Sequence, residues 1–275
     1  MKSDLIEINF YFPKPALAKN KQELVDLIVE LMRNDGTINY AGYSNEKILK
    51  DDLLRHIGCY NCGQYRDLSE KEKQSIKNTI QITIDKCNKI LPLPTKNFIF
   101  IFPWFPSEKE SVFNGSFGFA AYSCVLHLFI APDVFTKESV ADSVAHEINH
   151  TVSYHYHFDR YAKWSLLDRI VNEGLAENFR EDVLKTKPAP WAIALSEQKA
   201  FEVLREIYSK LNSKDNKIHQ AVLFGNDKYG RWTGYSVGYW LVKEFRKMKP
   251  NLSWKKIIKT KPEDILKAVK KIGHS

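Results

Sequence analysis

The chain is poor in the features that define several large protein classes. Its 275 residues include four cysteines, too few for a disulfide-stapled framework. Glycine (12) and proline (11) are sparse, which excludes collagen-like and low-complexity chains. No stretch reaches the ~18 uninterrupted apolar residues that a membrane span requires. The longest apolar cluster, Phe117–Pro132, is broken by Ser123 and His127. The start, Met1-Lys2-Ser3-Asp4, has no apolar core behind a basic head. No secretory leader is therefore expected, and a cytoplasmic location is. Cys59 and Cys62 form a single C-x-x-C with no second pair after it, and a structural role is expected for them.

What remains is globular: 44% hydrophobic and 27% charged residues, enough for one large domain or two modest ones. The net charge is +8, but lysines alternate with Asp and Glu almost everywhere. The densest basic stretch, Lys243 to Lys271, also carries Trp254, Ile257, Ile258, Ile265, Leu266 and Val269 at helical spacing. It reads as the solvated side of ordinary helices, so neither a nucleic-acid nor a membrane partner is expected.

Residues 4–12 alternate apolar and polar, as an edge strand does. Helical patterns follow near 15–33, 44–57 and 69–91, with Ser44 and Ser69 placed as caps and Asn34-Asp35-Gly36 as a stop. Past Pro92 and Pro94 the texture changes. Phe98–Trp104, Phe117–Tyr122 and Val125–Ala131 read as strands, and the chain is helical from about 134 onward. Helices, then strands, then helices predict an α+β fold, divided into an N-terminal, mainly helical arm (1–94) and a second domain (95–275).

The chemistry concentrates in His146-Glu147-Ile148-Asn149-His150. Residues four apart on a helix lie about 40° apart around its axis, one turn above each other. His146 and His150 can thus offer two imidazoles to one zinc ion. Glu147 stands one step round, within reach of a water on that ion. On a helix over 137–155, Ala141, Val144, Ala145, Ile148 and Val152 form an apolar stripe on the side away from the two histidines.

Two histidines need a third protein ligand. His155 and His157 have unsuitable spacing, and the position six after His150 is Tyr156. The better candidate is Asn172-Glu173-Gly174-Leu175-Ala176-Glu177, within a helical pattern over 165–184. Glu173 and Glu177 share its polar face, with Leu167, Val171, Leu175 and Phe179 opposite. Glu173 is the expected ligand, and Glu177 the expected partner of a histidine N–H. Gly174 costs about 1 kcal/mol inside a helix relative to Ala, which makes sense where two helices approach closely.

These motifs resemble the gluzincin metallopeptidases, in which the glutamate of a downstream N-E helix is the third zinc ligand. The run Gly118-Phe119-Ala120, Leu166-Leu167-Asp168, Glu173-Gly174-Leu175-Ala176 and Gly234-Tyr235-Ser236-Val237-Gly238-Tyr239 is similar, over about 95–260, to a bacterial and archaeal family of predicted Zn-dependent proteases. The resemblance implies a zincin-like catalytic domain with a small mixed or antiparallel sheet, an active-site helix, a glutamate helix and a helical C-terminal part. It also implies one Zn²⁺ per chain, a peptide or protein substrate, and Tyr235 as donor to the oxyanion, with Tyr239 and His219 as competitors. Gly118, Phe119 and Ala120 occupy the place of the substrate-binding edge strand. Aminopeptidase-type members carry an acid in that strand, whereas residues 111–131 contain no Glu or Asp, so internal peptide bonds are expected. A metal-bound but catalytically silent peptide- or protein-binding regulator and an aminopeptidase are the alternatives.

Overall fold

The computed structural model describes residues 6–14, 17–58, 66–157 and 163–270; the Cys59/Cys62 pair lies outside them. The fold is mixed α+β: ten α-helices and one four-stranded sheet among the described residues. Contacts divide it into two compact units, residues 1–88 with 93–152, and residues 89–92 with 153–275.

The first unit is built on the sheet. Its strands are β1 (Ile6–Phe10), β2 (Asn97–Pro103), β3 (Ser116–Tyr122) and β4 (Val125–Ile130). They run in the order β1-β2-β4-β3, with β1–β2 and β2–β4 parallel and the β3–β4 hairpin antiparallel. The hairpin turns at Ser123-Cys124, where Cys124 takes a left-handed φ of 65°. All of β4 and nearly all of β2 are buried, which is why both read as continuous apolar runs.

Three helices precede β2. In α1 (Lys21–Asn34) the Asn20 side chain accepts the Glu23 N–H, and the helix stops before Gly36 at φ 75°, a conformation that glycine adopts without strain. Next comes α2 (Glu46–His56). Its cap is Asn45, which accepts the Ile48 N–H, rather than the neighbouring Ser44; both residue types cap well, so the pattern alone is ambiguous by one position. The third is α3 (Glu70–Ile90), opened by reciprocal bonds between Ser69 and Glu72.

Leu24, Ile28, Leu49 and Leu53 of α1 and α2 share one core with Phe100, Phe102 and Phe129 of the sheet and with Trp104 just after β2. Burying each such side chain stabilises the fold by about 1.5–3 kcal/mol. The change of texture at residues 94/95 therefore falls inside a single packed core. The other face of the sheet presents Ile99, Ile101, Leu126, Leu128 and Ile130, all fully buried. Across that face runs α4 (Lys137–Tyr156), tied to it by Ser143 Oγ to the Ser116 carbonyl (3.1 Å) and by Thr151 Oγ1 to Asn97 Oδ1 (3.3 Å).

The second unit is helical: α5 (Leu166–Leu184), α6 (Glu197–Glu206), α7 (Asn216–Phe224), α8 (Thr233–Met248), α9 (Trp254–Lys259) and α10 (Pro262–Lys270). A capping box between Ser165 and Asp168 starts α5. Backbone contact then joins α5 to α8. A Cβ on Gly174 would lie 2.1 Å from the Gly238 carbonyl oxygen, and one on Gly238 would lie 2.0 Å from that of Ile170. Asn178 Nδ2 fastens the same junction, donating to the carbonyls of Gly174 (2.9 Å) and Tyr239 (3.0 Å). Several cations of α8 face acids: Lys243 pairs with Glu181, Arg246 with Asp182, and Lys247 with Glu244.

Candidate metal centre

Both histidines of the pentapeptide lie on α4, where helical spacing turns them to one side. Their Nε2 atoms are 3.0 Å apart, close to the roughly 3.3 Å separating two nitrogens on a tetrahedral zinc with 2.0–2.1 Å bonds. Glu147 Oε1 lies 4.0 Å from His146 Nε2. One donor atom from each of His146, Glu147 and His150 falls within 4.8 Å of the others, a group that can hold a metal ion. Two imidazole nitrogens and an adjacent carboxylate are a donor set that zinc accepts.

The surroundings are drier than an amphipathic reading of α4 suggests. Val144, Ala145, Ile148 and Val152 are buried, as the apolar stripe predicts, while its fifth member, Ala141, is half-buried; Ser139, Val140, Asn149, His150, Thr151 and Ser153 are buried as well. The helix is enclosed on most sides. Electrostatic interactions at such a place are screened far less than at a surface.

The strand β3 reaches the glutamate directly. The Ala120 N–H donates to Glu147 Oε2 at 2.8 Å, and a Cβ on Gly118 would lie 2.3 Å from Glu147 Cγ. Of the three residues expected to bind substrate, Gly118 and Ala120 thus face α4. Phe119 turns the other way and stacks on His56, ring centroids 5.1 Å apart.

Glu173, Glu177, Tyr235, Tyr239 and His219 belong to the second unit. Glu173 is half-buried on α5, and Glu177 is fully buried. The Glu177 carboxylate accepts Arg180 Nε at 3.3 Å and the Trp191 indole N–H. Tyr235 is half-buried near the start of α8, its ring 6.1 Å from that of Phe224. Its two competitors are engaged elsewhere. Tyr239, buried, donates to Glu181 Oε2 at 2.7 Å and receives Lys243 Nζ; burial and the Glu181 carboxylate push its phenol pKa up. His219 Nε2 is bound to the Ser213 carbonyl at 2.7 Å. His155 is exposed at the end of α4, and His157 Nε2 is bound to the Ile258 carbonyl at 2.7 Å.

A second polar cluster in the first unit escaped sequence reasoning. Asp52 receives Tyr43 Oη and lies 3.2 Å from His56 Nδ1. His127, fully buried in the sheet, bonds the Ala41 carbonyl through Nε2 at 3.0 Å and packs edge-on against Phe100 and Phe102. Burial drives its pKa down to about 4, against the opposing pull of Asp52. For Asp52, burial acts upward, but the bonds from His56 and Tyr43 outweigh it and hold the carboxyl below its ordinary value. Only the break that His127 makes in an apolar strand hinted at this cluster.

The family described as "Predicted Zn-dependent protease (DUF2268)" matches residues 76–267. The chain belongs to that family. The match takes in β2–β4, α4 and all of α5–α9. A curated relative, "Uncharacterized protein YjfC" of Bacillus subtilis (strain 168), is 28% identical over 152 residues, covering 50% of each chain. The chain thus spans about half the length of that relative. No solved structure matches the fold. The family description names zinc dependence and proteolysis as predicted; His146, Glu147 and His150 form a group that could hold a metal ion. No helix among the described residues is long and apolar enough to cross a membrane.

Proposed function

We propose that the chain is a gluzincin-type zinc peptidase with a zincin-like catalytic fold, hydrolysing internal peptide bonds. The observation that carries this reading is the 3.0 Å approach of the His146 and His150 Nε2 atoms with Glu147 beside them. These two imidazoles would hold the zinc, and Glu173 is proposed to complete the ligand set. Bound zinc lowers the pKa of a coordinated water from 15.7 to about 7 and polarises a carbonyl oxygen.

The protein's own groups do the rest. Glu147 takes the proton of the attacking water and returns it to the leaving amine nitrogen. Its Oε2, held by the Ala120 N–H, keeps the carboxylate turned toward β3 while Oε1 lies on the His146 side. Tyr235 is proposed to donate its phenol O–H to the oxyanion that develops at the scissile carbonyl. Tyr239 and His219 would each have to give up a bond, to Glu181 and to the Ser213 carbonyl, to take this role. Absence of a carboxylate from β3 and its flanks favours internal bonds over a free N-terminus, whose amine needs an acidic partner.

Elemental analysis paired with a peptide digest tests the reading. One zinc per chain and zinc-dependent cleavage within peptides are the expected results. Glu173→Ala should lower zinc content; undiminished stoichiometry rejects Glu173 as a ligand. Zinc binding with no cleavage of any peptide in a broad library rejects the peptidase reading in favour of a silent binding protein.

A further inference from the structure

The two edges of the sheet are guarded differently. On β3 the register shifts between Ala120 and Tyr122, and α4 takes up the Ser116 carbonyl at 3.1 Å and the Ala120 N–H at 2.8 Å. The opposite edge, β1, has no such devices. Its register with β2 is unbroken from Ile6 to Phe10, and the strand Ile6-Glu7-Ile8-Asn9-Phe10 contains neither lysine nor proline. An edge without bulge, proline or lysine is a ready template for another strand.

The Tyr11 N–H donates to the Ile101 carbonyl at 2.9 Å. The backbone groups of Glu7, Asn9 and Tyr11 therefore point to β2, and those of Ile6, Ile8 and Phe10 point outward. Among the described residues, no hydrogen bond meets these outward groups. Ile6, Ile8 and Phe10 also share one face of the strand, and Glu7 and Asn9 share the other. Beside the first face lies an open groove of about 350 Å³, lined by Ile6, Ile8 and by Lys77, Asn78 and Gln81 of α3.

A second copy of this strand is complementary to it. Antiparallel pairing across a two-fold axis at Ile8 joins Ile8 to Ile8, Ile6 to Phe10 and Phe10 to Ile6. That register uses every outward N–H and carbonyl of the strand. On one face it continues an apolar row and sets Phe10 of the second copy beside Ile6, at the groove. On the other, Glu7 meets Asn9 of the second copy, so like charges do not face each other. Lys96 pairs with Glu7 at 2.7 Å, which cancels charge at this edge in a chain of net charge +8. Lys77 Nζ lies 5.5 Å from the Phe10 ring. The Phe10 residues of the two copies stand at opposite ends of the pair, about 13 Å apart, beyond the screening length of about 8 Å at physiological salt.

We propose that the β1 edge is a homodimer interface, at which two copies join their sheets antiparallel about Ile8. The inference is independent of the peptidase reading.

Analytical ultracentrifugation of the full chain, from about 1 to about 500 μM, tests it, and a concentration-dependent dimer is the expected result. Ile8→Pro removes an N–H that faces away from β2, so it costs no bond within the sheet of one chain. It should weaken dimerisation at least about tenfold with an unchanged circular dichroism spectrum. Should that variant fail to fold, position 9 carries the test. Asn9→Glu sets carboxylates opposite each other and should weaken the dimer about fivefold, whereas Asn9→Lys should tighten it by a similar factor. Raising the concentration of the wild-type chain should slow amide exchange at Ile8 and Phe10, while Glu7 and Asn9 stay unchanged. A chain that remains monomeric throughout, a folded Ile8→Pro chain that dimerises like wild type, or exchange at Ile8 and Phe10 that ignores concentration overturns the proposal. Position 9 variants that leave the dimer unchanged or shift it in the same direction overturn the two-fold register at Ile8.

Discussion

Helices α4 and α5 each carry two functional side chains four residues apart, yet the two pairs have different fates. On α4, His146 and His150 turn to each other, and their nitrogens meet at 3.0 Å. On α5, Glu173 is half-buried, while Glu177 is fully buried and accepts from Arg180 and Trp191. The angular relation is the same, about 40°. What differs is the company: on α4 the two imidazoles meet each other, whereas α5 places a guanidinium three residues after one of its carboxylates. Spacing sets which side chains can meet; the surrounding charges decide what they do.

That contrast predicts opposite consequences for two conservative losses. Glu147→Gln should lower peptide hydrolysis by about 10²–10⁴-fold, the usual worth of a general base, while zinc content and unfolding midpoint stay near wild type. Steady-state rates beside elemental analysis check it, and a variant with full activity would remove Glu147 from the chemistry. Glu177→Ala should do the reverse, leaving the buried Arg180, 2% exposed, without its carboxylate. Breaking such a pair costs about 3–5 kcal/mol, read as a drop in denaturation midpoint. Zinc affinity of the same variant reports separately on a histidine-orienting role, which would lower it by about 10–100-fold.

A smaller, pH-dependent effect belongs to the first unit. His127 titrates near 6.5 when unfolded and near 4 when folded, because burial opposes its charge. A depressed histidine pKa gives stability that is complete above about 6.5 and lost as pH falls toward 4, on the order of 3 kcal/mol. Unfolding free energies at pH 7 and pH 4 should therefore differ more in wild type than in His127→Phe. Equal differences would mean that the buried imidazole does not carry the acid sensitivity.

Much of the architecture was legible because it is written in local patterns. The cap at Ser69, the stop at Gly36, the three strand runs and the two-histidine geometry all follow from a few neighbouring residues. The Gly174 backbone contact was legible as a need for close approach, though not its partner, Gly238. The interior polar residues were not legible. A periodicity argument places Asn149, Asn172, Asn178 and Arg180 on wet faces, yet each is buried, since a helix enclosed on several sides hides its polar residues as well as its apolar ones. The contact from Ala120 to Glu147 joins residues 27 apart through the backbone, which no side-chain pattern records. Nor does composition reveal that α1 and α2 pack into the aromatic face of β2, because texture changes where the elements change, not where the core ends.

The most direct test of the account is the zinc stoichiometry of the full chain and of His150→Ala measured side by side. The account predicts one zinc per wild-type chain and a large loss in the variant. A wild-type chain that takes up no zinc, or a variant that holds as much as wild type, would contradict it.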